Sequence, residues 1–142
     1  MSGACEFCHG AGGPVLWQNA LCRVVLAEEP RYPGFCRVIL ARHAVEMTEL
    51  AQAEREALMR VVFEVEAAVR ETMHPDKMNL ASLGNMVPHV HWHVIPRFRD
   101  DDHFPGPIWA AARRESVVPP GRVARAEGLG RAVRARLERL EP

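Results

Sequence analysis

The residues best suited to chemistry lie in one short segment, Pro88-His89-Val90-His91-Trp92-His93-Val94-Ile95-Pro96-Arg97. Side chains of an extended strand alternate between its two faces. His89, His91 and His93 therefore share one face, and Val90, Trp92 and Val94 share the other. The apolar set packs the strand against a core and presents three imidazoles together on the opposite side. Three chemistries suit such a row. A neutral imidazole can attack an electrophilic phosphorus while a neighbour moves a proton, and imidazole titrates close enough to neutrality to do so. The same ring is the commonest metal ligand. The third reading is structural, with hydrogen-bonded histidines on a half-exposed sheet. The chain has only seven histidines, so three in strict alternation argue against coincidence.

A second constellation is Cys5-Glu6-Phe7-Cys8. A Cys-x-x-Cys pair can hold two corners of a tetrahedral zinc site. A redox pair belongs at the start of a helix after a strand, whereas residues 3–13 are Gly-rich and read as a loop with no strand before them. Cys22 and Cys36 fall inside apolar strands and read as small buried side chains. With this cysteine pattern a disulfide framework is not expected, and the expected compartment is reducing and cytoplasmic.

Elements must hold these residues in place. Leu21 to Ala27 and Phe35 to Ala41 read as an antiparallel pair around the turn Glu28-Glu29-Pro30-Arg31-Tyr32-Pro33-Gly34. Leu58, Val61, Val62, Val65, Val69 and Met73 repeat at steps of three or four, which predicts a helix at about 52–73. A short turn near Thr48 precedes it, and Pro75 stops it. Asp76 to Leu83 reads as a third strand and His89 to Arg97 as a fourth. Residues 98–110 read as loop, and Pro119-Pro120-Gly121 as a further break. Residues 123–140 read as one amphipathic helix with Ala126, Leu129, Val133, Leu137 and Leu140 on its apolar face, and five arginines on the other. That cationic side reads as the solvated face of a docked surface helix. Strands, one long helix, strands and a terminal helix make an α+β order with an antiparallel sheet. No phosphate-loop or dinucleotide glycine motif is present.

At 142 residues, 48% hydrophobic and 25% charged, the chain suits one soluble domain over residues 1–142. Lys+Arg and Asp+Glu are both 18, so no dominant positive field favours nucleic acid or a membrane surface. No apolar run nears the roughly 18 residues of a membrane span, and no basic-plus-apolar leader opens the sequence.

The motif His89-Val90-His91-Trp92-His93-Val94-Ile95, followed by Pro96-Arg97, resembles the signature of the histidine-triad (HIT) nucleotide hydrolases and transferases. The resemblance spans about residues 5–98 and takes in Cys5 to Cys8, Arg42-His43-Ala44, the long helix and Asn79. Residues 99–142, a loop and helix, lie outside it. The resemblance implies a HIT-like α+β fold: an antiparallel sheet of about five strands, one long helix and a C-terminal helix. It implies a homodimer with one continuous sheet, joined through a helix and a strand. It implies cleavage of phosphoanhydrides or phosphoramidates, such as dinucleoside polyphosphates, through a nucleotidyl-histidine on His91. His93 then holds the phosphate and handles protons, and Asn79 and Asn85 contact substrate. Backbone N–H groups from Gly84 to Val87 add donors. Some relatives of this kind bind structural zinc through residues matching Cys5, Cys8, His43 and His89. His9 is an alternative to His43, and two unligated cysteines are the alternative to zinc. No organic cofactor is expected. The rival function is a regulatory nucleotide binder of the same fold with little turnover. A second rival uses the three histidines as ligands of a catalytic metal.

Asn85 and Met86 stand where the family often has glutamine and then serine or threonine. Asn85 keeps a donor and acceptor on a shorter arm, Met86 has neither, and the leaving-group pocket is altered accordingly. Simple turn chemistry after Gly84 is the other reading of Asn85. The run Asp100-Asp101-Asp102 reads as a solvated turn beside His103, with a divalent ion carried by polyphosphate as the sharper option. Trp109 reads as a base-stacking, dimer-pocket or core residue, and Leu26 and Phe35 as candidate walls of a base pocket.

Overall fold

Alternation of apolar residues along neighbouring strands decides which way the sheet faces. In the computed structural model, which describes residues 5–140, five strands run β1 Val15–Gln18, β2 Cys22–Leu26, β3 Cys36–Leu40, β4 Lys77–Ala81 and β5 His91–Arg97. They form one sheet in the order β1-β2-β3-β5-β4, and every pairing is antiparallel. The expected α+β class and five-stranded sheet are what is found. Cys22, Val24, Cys36, Val38, Leu40, Val90 and Val94 face the main apolar core. The alternate residues, Val25, Ile39 and Ile95, join two smaller clusters on the opposite side.

Helix α2, Gln52–Met73, covers the core face with Leu58, Val61, Val62, Val65, Ala68, Val69 and Met73 buried. Its bounds match the spacing of those residues. A 3-10 turn at Met47–Glu49 precedes it, and His74 closes it in the left-handed region (φ 51) with its N–H on the Arg70 carbonyl. Gly34 opens β3 with φ +88, and a Cβ there would lie 2.8 Å from Met73 Cγ. Both the backbone sign and the close approach of α2 require glycine.

Four expectations need correction. The Cys5–Cys8 segment is not all loop, because Glu6–His9 forms a helical turn, α1. Strand β1 is absent from the sequence reading. It is short, half-exposed and irregular in its register with β2, so it carries little periodic signal. The C-terminal helix is two helices, α3 Pro120–Ala126 and α4 Leu129–Glu138. Pro120 starts α3 instead of breaking the chain, since a first-turn proline gives up no helical hydrogen bond. Leu129, Val133 and Leu137 of α4 are buried in the main core. The arginine face is not merely solvated, because Arg136 pairs with Glu64 and Glu71 of α2.

The acidic run is the fourth correction. Asp101 is buried against Arg97, with Nε to Oδ2 at 2.8 Å and Nη2 to Oδ1 at 3.0 Å. It also accepts from the backbone N–H groups of Phe98, His103 and Phe104. Asp102 takes a two-pronged bond from Arg31. Only Asp100 is largely solvated, against Arg122. Two unpaired carboxylates could not sit so near a sheet without their arginines.

Candidate active site and metal cluster

Strand β5 is held on both sides, by β3 and by β4, and its apolar residues seat it on α2. That leaves His91 and His93 on the face away from the core, as the alternation requires. His89 precedes the strand at a bend, fully buried. Opposite the core, a cleft of about 580 Å³ is lined by Glu6, Phe7, Arg37, the loop Leu83 to Val87, His91, His93 and Trp109. Gly84 holds that loop with φ +75, again a glycine conformation.

His91 has a defined tautomer. Its Nδ1 lies 2.6 Å from the His89 carbonyl oxygen. A carbonyl only accepts, so Nδ1 carries the proton and Nε2 keeps the lone pair. Burial, and the positive charge of Arg37, hold the ring below its ordinary pKa. It is therefore neutral at pH 7. His93 is held lower still, at about 3, by burial and by His91 and Arg37. Its Nδ1 is buried and has no partner among the described residues. The His93 ring is enclosed by aromatic edges: His91 at 4.9 Å, Trp109 at 5.0 Å and Phe35 at 5.7 Å between centroids. Phe7 stands against His91 at 4.9 Å.

Each candidate from the sequence has a place. Asn85 lines the cleft, and Met86 beside it is 94% exposed. Asn79 pairs with Ile95 across β4 and β5, on the histidine face, but is not a cleft wall. Its Oδ1 accepts from Arg97 Nη1 at 2.8 Å. Phe35 lies beside His93, whereas Leu26 packs on the main core and takes no part in the cleft. Trp109 is half-exposed at the cleft rim, not a core residue. Arg37 and the α1 residues Glu6 and Phe7 were missed by sequence reasoning. The alternation of β3 would have placed Arg37 opposite His93, since the two are cross-strand partners.

Cys5, Cys8, His43 and His89 form a second cluster, their ligand atoms all within 4.8 Å of one another. His89 Nε2 donates to the Leu40 carbonyl at 2.7 Å, which turns the Nδ1 lone pair toward the cluster. That Nδ1 lies 3.3 Å from Cys5 Sγ, 3.6 Å from Cys8 Sγ and 3.3 Å from His43 Nδ1. His43 Nδ1 lies 3.4 Å from Cys8 Sγ. A tetrahedral zinc with ordinary bond lengths has ligand–ligand edges of roughly 3.3–3.8 Å. Four of the six ligand–ligand edges thus have the spacing of a closed zinc site, and the donors have its chemistry, with a backbone carbonyl orienting one imidazole from behind. His9 is exposed and outside the cluster.

A family profile, the HIT domain, matches residues 12–100. A HIT-like protein of Mycoplasma genitalium is 24% identical over 110 residues, covering 71% of this chain and 78% of that protein. Among solved structures, a histidine triad protein of Bradyrhizobium japonicum superimposes with a TM-score of 0.72 at 26% identity, over 89% of this chain and 91% of its own. One from Marinobacter aquaeolei VT8 gives 0.71 at 27%, over 92% and 93%. A Zn-bound histidine triad family protein from Mycobacterium smegmatis gives 0.66 at 24%, over 99% and 100%. Cys5, Cys8 and Trp109 lie outside the matched residues 12–100.

Proposed function

The chain belongs to the HIT domain family, and from that premise we propose that it is a nucleotide hydrolase or transferase working through a covalent nucleotidyl-histidine on His91. The observation that carries this is the His91 tautomer, with Nδ1–H tied to the His89 carbonyl and the Nε2 lone pair left as nucleophile. In the first step Nε2 bonds to the α-phosphorus. The bond from phosphorus to the bridging oxygen or nitrogen breaks, and its electron pair leaves with the departing group. His93, neutral and beside His91, holds the phosphate and relays to the leaving group a proton supplied by solvent water. Water then cleaves the N–P bond, releasing a nucleoside monophosphate and restoring His91. Backbone N–H groups of the Gly84–Val87 loop and the Asn85 amide face the developing negative charge, where preoriented donors count most. Asn79 contributes from behind the cleft wall, its Oδ1 engaged by Arg97 and its amide nitrogen left toward the phosphate side.

Cys5, Cys8, His43 and His89 are assigned to structural zinc, four protein donors that leave no open position. Bound there, zinc supplies cross-linking, joining α1 and the segment after β3 to the start of β5. Dimerisation is assigned to the β4 edge, which ends the sheet, and to α2, where Phe63 is 53% exposed. No helix among the described residues is long and apolar enough to cross a membrane. With all four cysteines free, a reducing, cytoplasmic setting is assigned.

The test is turnover of dinucleoside tri- and tetraphosphates and an adenosine phosphoramidate by the unaltered chain and by His91→Ala, with and without chelator. Release of AMP that survives chelator and vanishes in the variant is expected. Binding without turnover in both proteins would overturn the enzyme reading in favour of a regulatory binder. Immediate loss of activity on chelation, with the fold intact, would favour metal catalysis.

A further inference from the structure

Arg37 is a half-buried cation on the cleft wall. Burial weakens its hold on its proton, opposed by Glu6 and Glu29. Yet among the described residues it makes no ion pair and no side-chain hydrogen bond. Other arginines around the sheet and its loops are committed: Arg23 to three carbonyls, Arg31 to Asp102, Arg97 to Asp101 and Arg122 to Asp100. Glu6, the one carboxylate lining the cleft, does not come within ion-pair distance. A guanidinium taken partly out of water without an anion is costly, and it presents a planar fork suited to a phosphate.

Its position is offset from the nucleophile. Arg37 pairs with His93, and Ile39 with His91, so Arg37 stands one like-facing step along the sheet. Two residues of strand span roughly 6.6 Å. The side chain leans further away still, its Cζ 5.1 Å from the centroid of Phe35, the residue just before β3. At that distance the guanidinium is within cation–π range of the ring. The cation therefore sits in the same cleft as His91, but beyond His93.

Resting on the reading of the cleft as a nucleotide site, we propose that Arg37 seats a second phosphate beside the reacting one. The cleft then selects nucleoside di- and polyphosphates over nucleotides that carry one phosphate. The phosphorus attacked by His91 belongs to the neighbourhood of His93 and the Gly84–Val87 loop, and the next phosphate along the chain meets Arg37.

The test is calorimetric binding of AMP and ADP to the full-length His91→Ala chain, which prevents turnover, with and without a second change at Arg37. ADP binds at least about tenfold more tightly than AMP, the scale of one charge-assisted two-pronged contact. Arg37→Gln brings the ratio to about one. Arg37→Lys, which keeps the charge but not the fork, leaves an intermediate ratio, and it carries the test should the Gln variant fail to fold. Equal affinities in the parent, or a ratio unmoved by Arg37→Gln, would overturn the seat while leaving the nucleotide reading intact. Failure of a folded parent to bind either nucleotide would sink that reading, and the seat with it.

Discussion

One hydrogen bond sets His91 apart from the other imidazoles of the cleft: its Nδ1–H donates to the His89 carbonyl and leaves the Nε2 lone pair free, as the proposed nucleophile requires. Replacing His91 with alanine should lower kcat/KM by about 10²–10⁴-fold or more while the melting curve stays close to the parent's. Trp109 acts on His93 by its ring edge. Edge-on aromatic pairs are worth about 0.5–1.5 kcal/mol, so Trp109→Ala should cost roughly 2–13-fold in kcat/KM, measured on the best substrate. Asp101 carries an acid dependence. Burial alone would raise its carboxyl, but Arg97 and three backbone N–H groups prevail and hold it at about 2, below the ordinary 3.8. The stability it contributes is whole above about pH 4 and is lost as pH falls through about 2. Asp101→Asn should flatten that part of an acid unfolding profile. It should also cost about 3–5 kcal/mol at neutral pH, by leaving the buried Arg97 charge without its partner. At this scale the histidines and cysteines were legible, because alternation and spacing are local properties. Arg37 and the Asp101–Arg97 pair were not. Their roles depend on which strand lies beside which and on a loop returning to the sheet.

Elements were legible in proportion to their periodicity. Six apolar residues at steps of three or four defined α2, all of them buried in its 22 residues, and β2, β3, β4 and β5 followed from apolar runs punctuated by proline and glycine. The edge strand β1, the single turn of α1 and the break between α3 and α4 were not, since none repeats enough to rise above its surroundings. In α2, Leu58 is fully buried in the main core, and Leu58→Ala should cost about 2–5 kcal/mol in urea unfolding. Helix α1 is held differently. Cys5 and Cys8 meet His43 and His89, while Phe7 between them meets His91. One zinc per chain is expected by elemental analysis of the purified protein. A Cys5→Ser, Cys8→Ser double variant should lose it and melt at lower temperature. Zinc content unchanged in that variant would remove the metal assignment.

In the whole molecule, the sheet divides labour between its faces. One is closed by α2 and α4, and the other carries the cleft, walled by α1, the Gly84–Val87 loop and Trp109. Because α1 belongs to both the proposed zinc cluster and the cleft wall, turnover should survive the addition of chelator at first and then decline only slowly, in step with loosening of the N-terminal turn. Hydrogen exchange at residues 5–9 should rise over the same interval. The partition of faces also makes the pairing of β5 with β3 and β4 more than a matter of stability. Because side chains alternate with period two, inserting or deleting one residue inside β5 would transpose its entire pattern. Imidazoles would be driven against α2, while Trp92 and Val94 would turn out toward solvent. The display of the histidines and the hydrophobicity of the core are thus enforced by one parity, so this strand should tolerate substitutions that respect size and polarity, yet almost no change in its length.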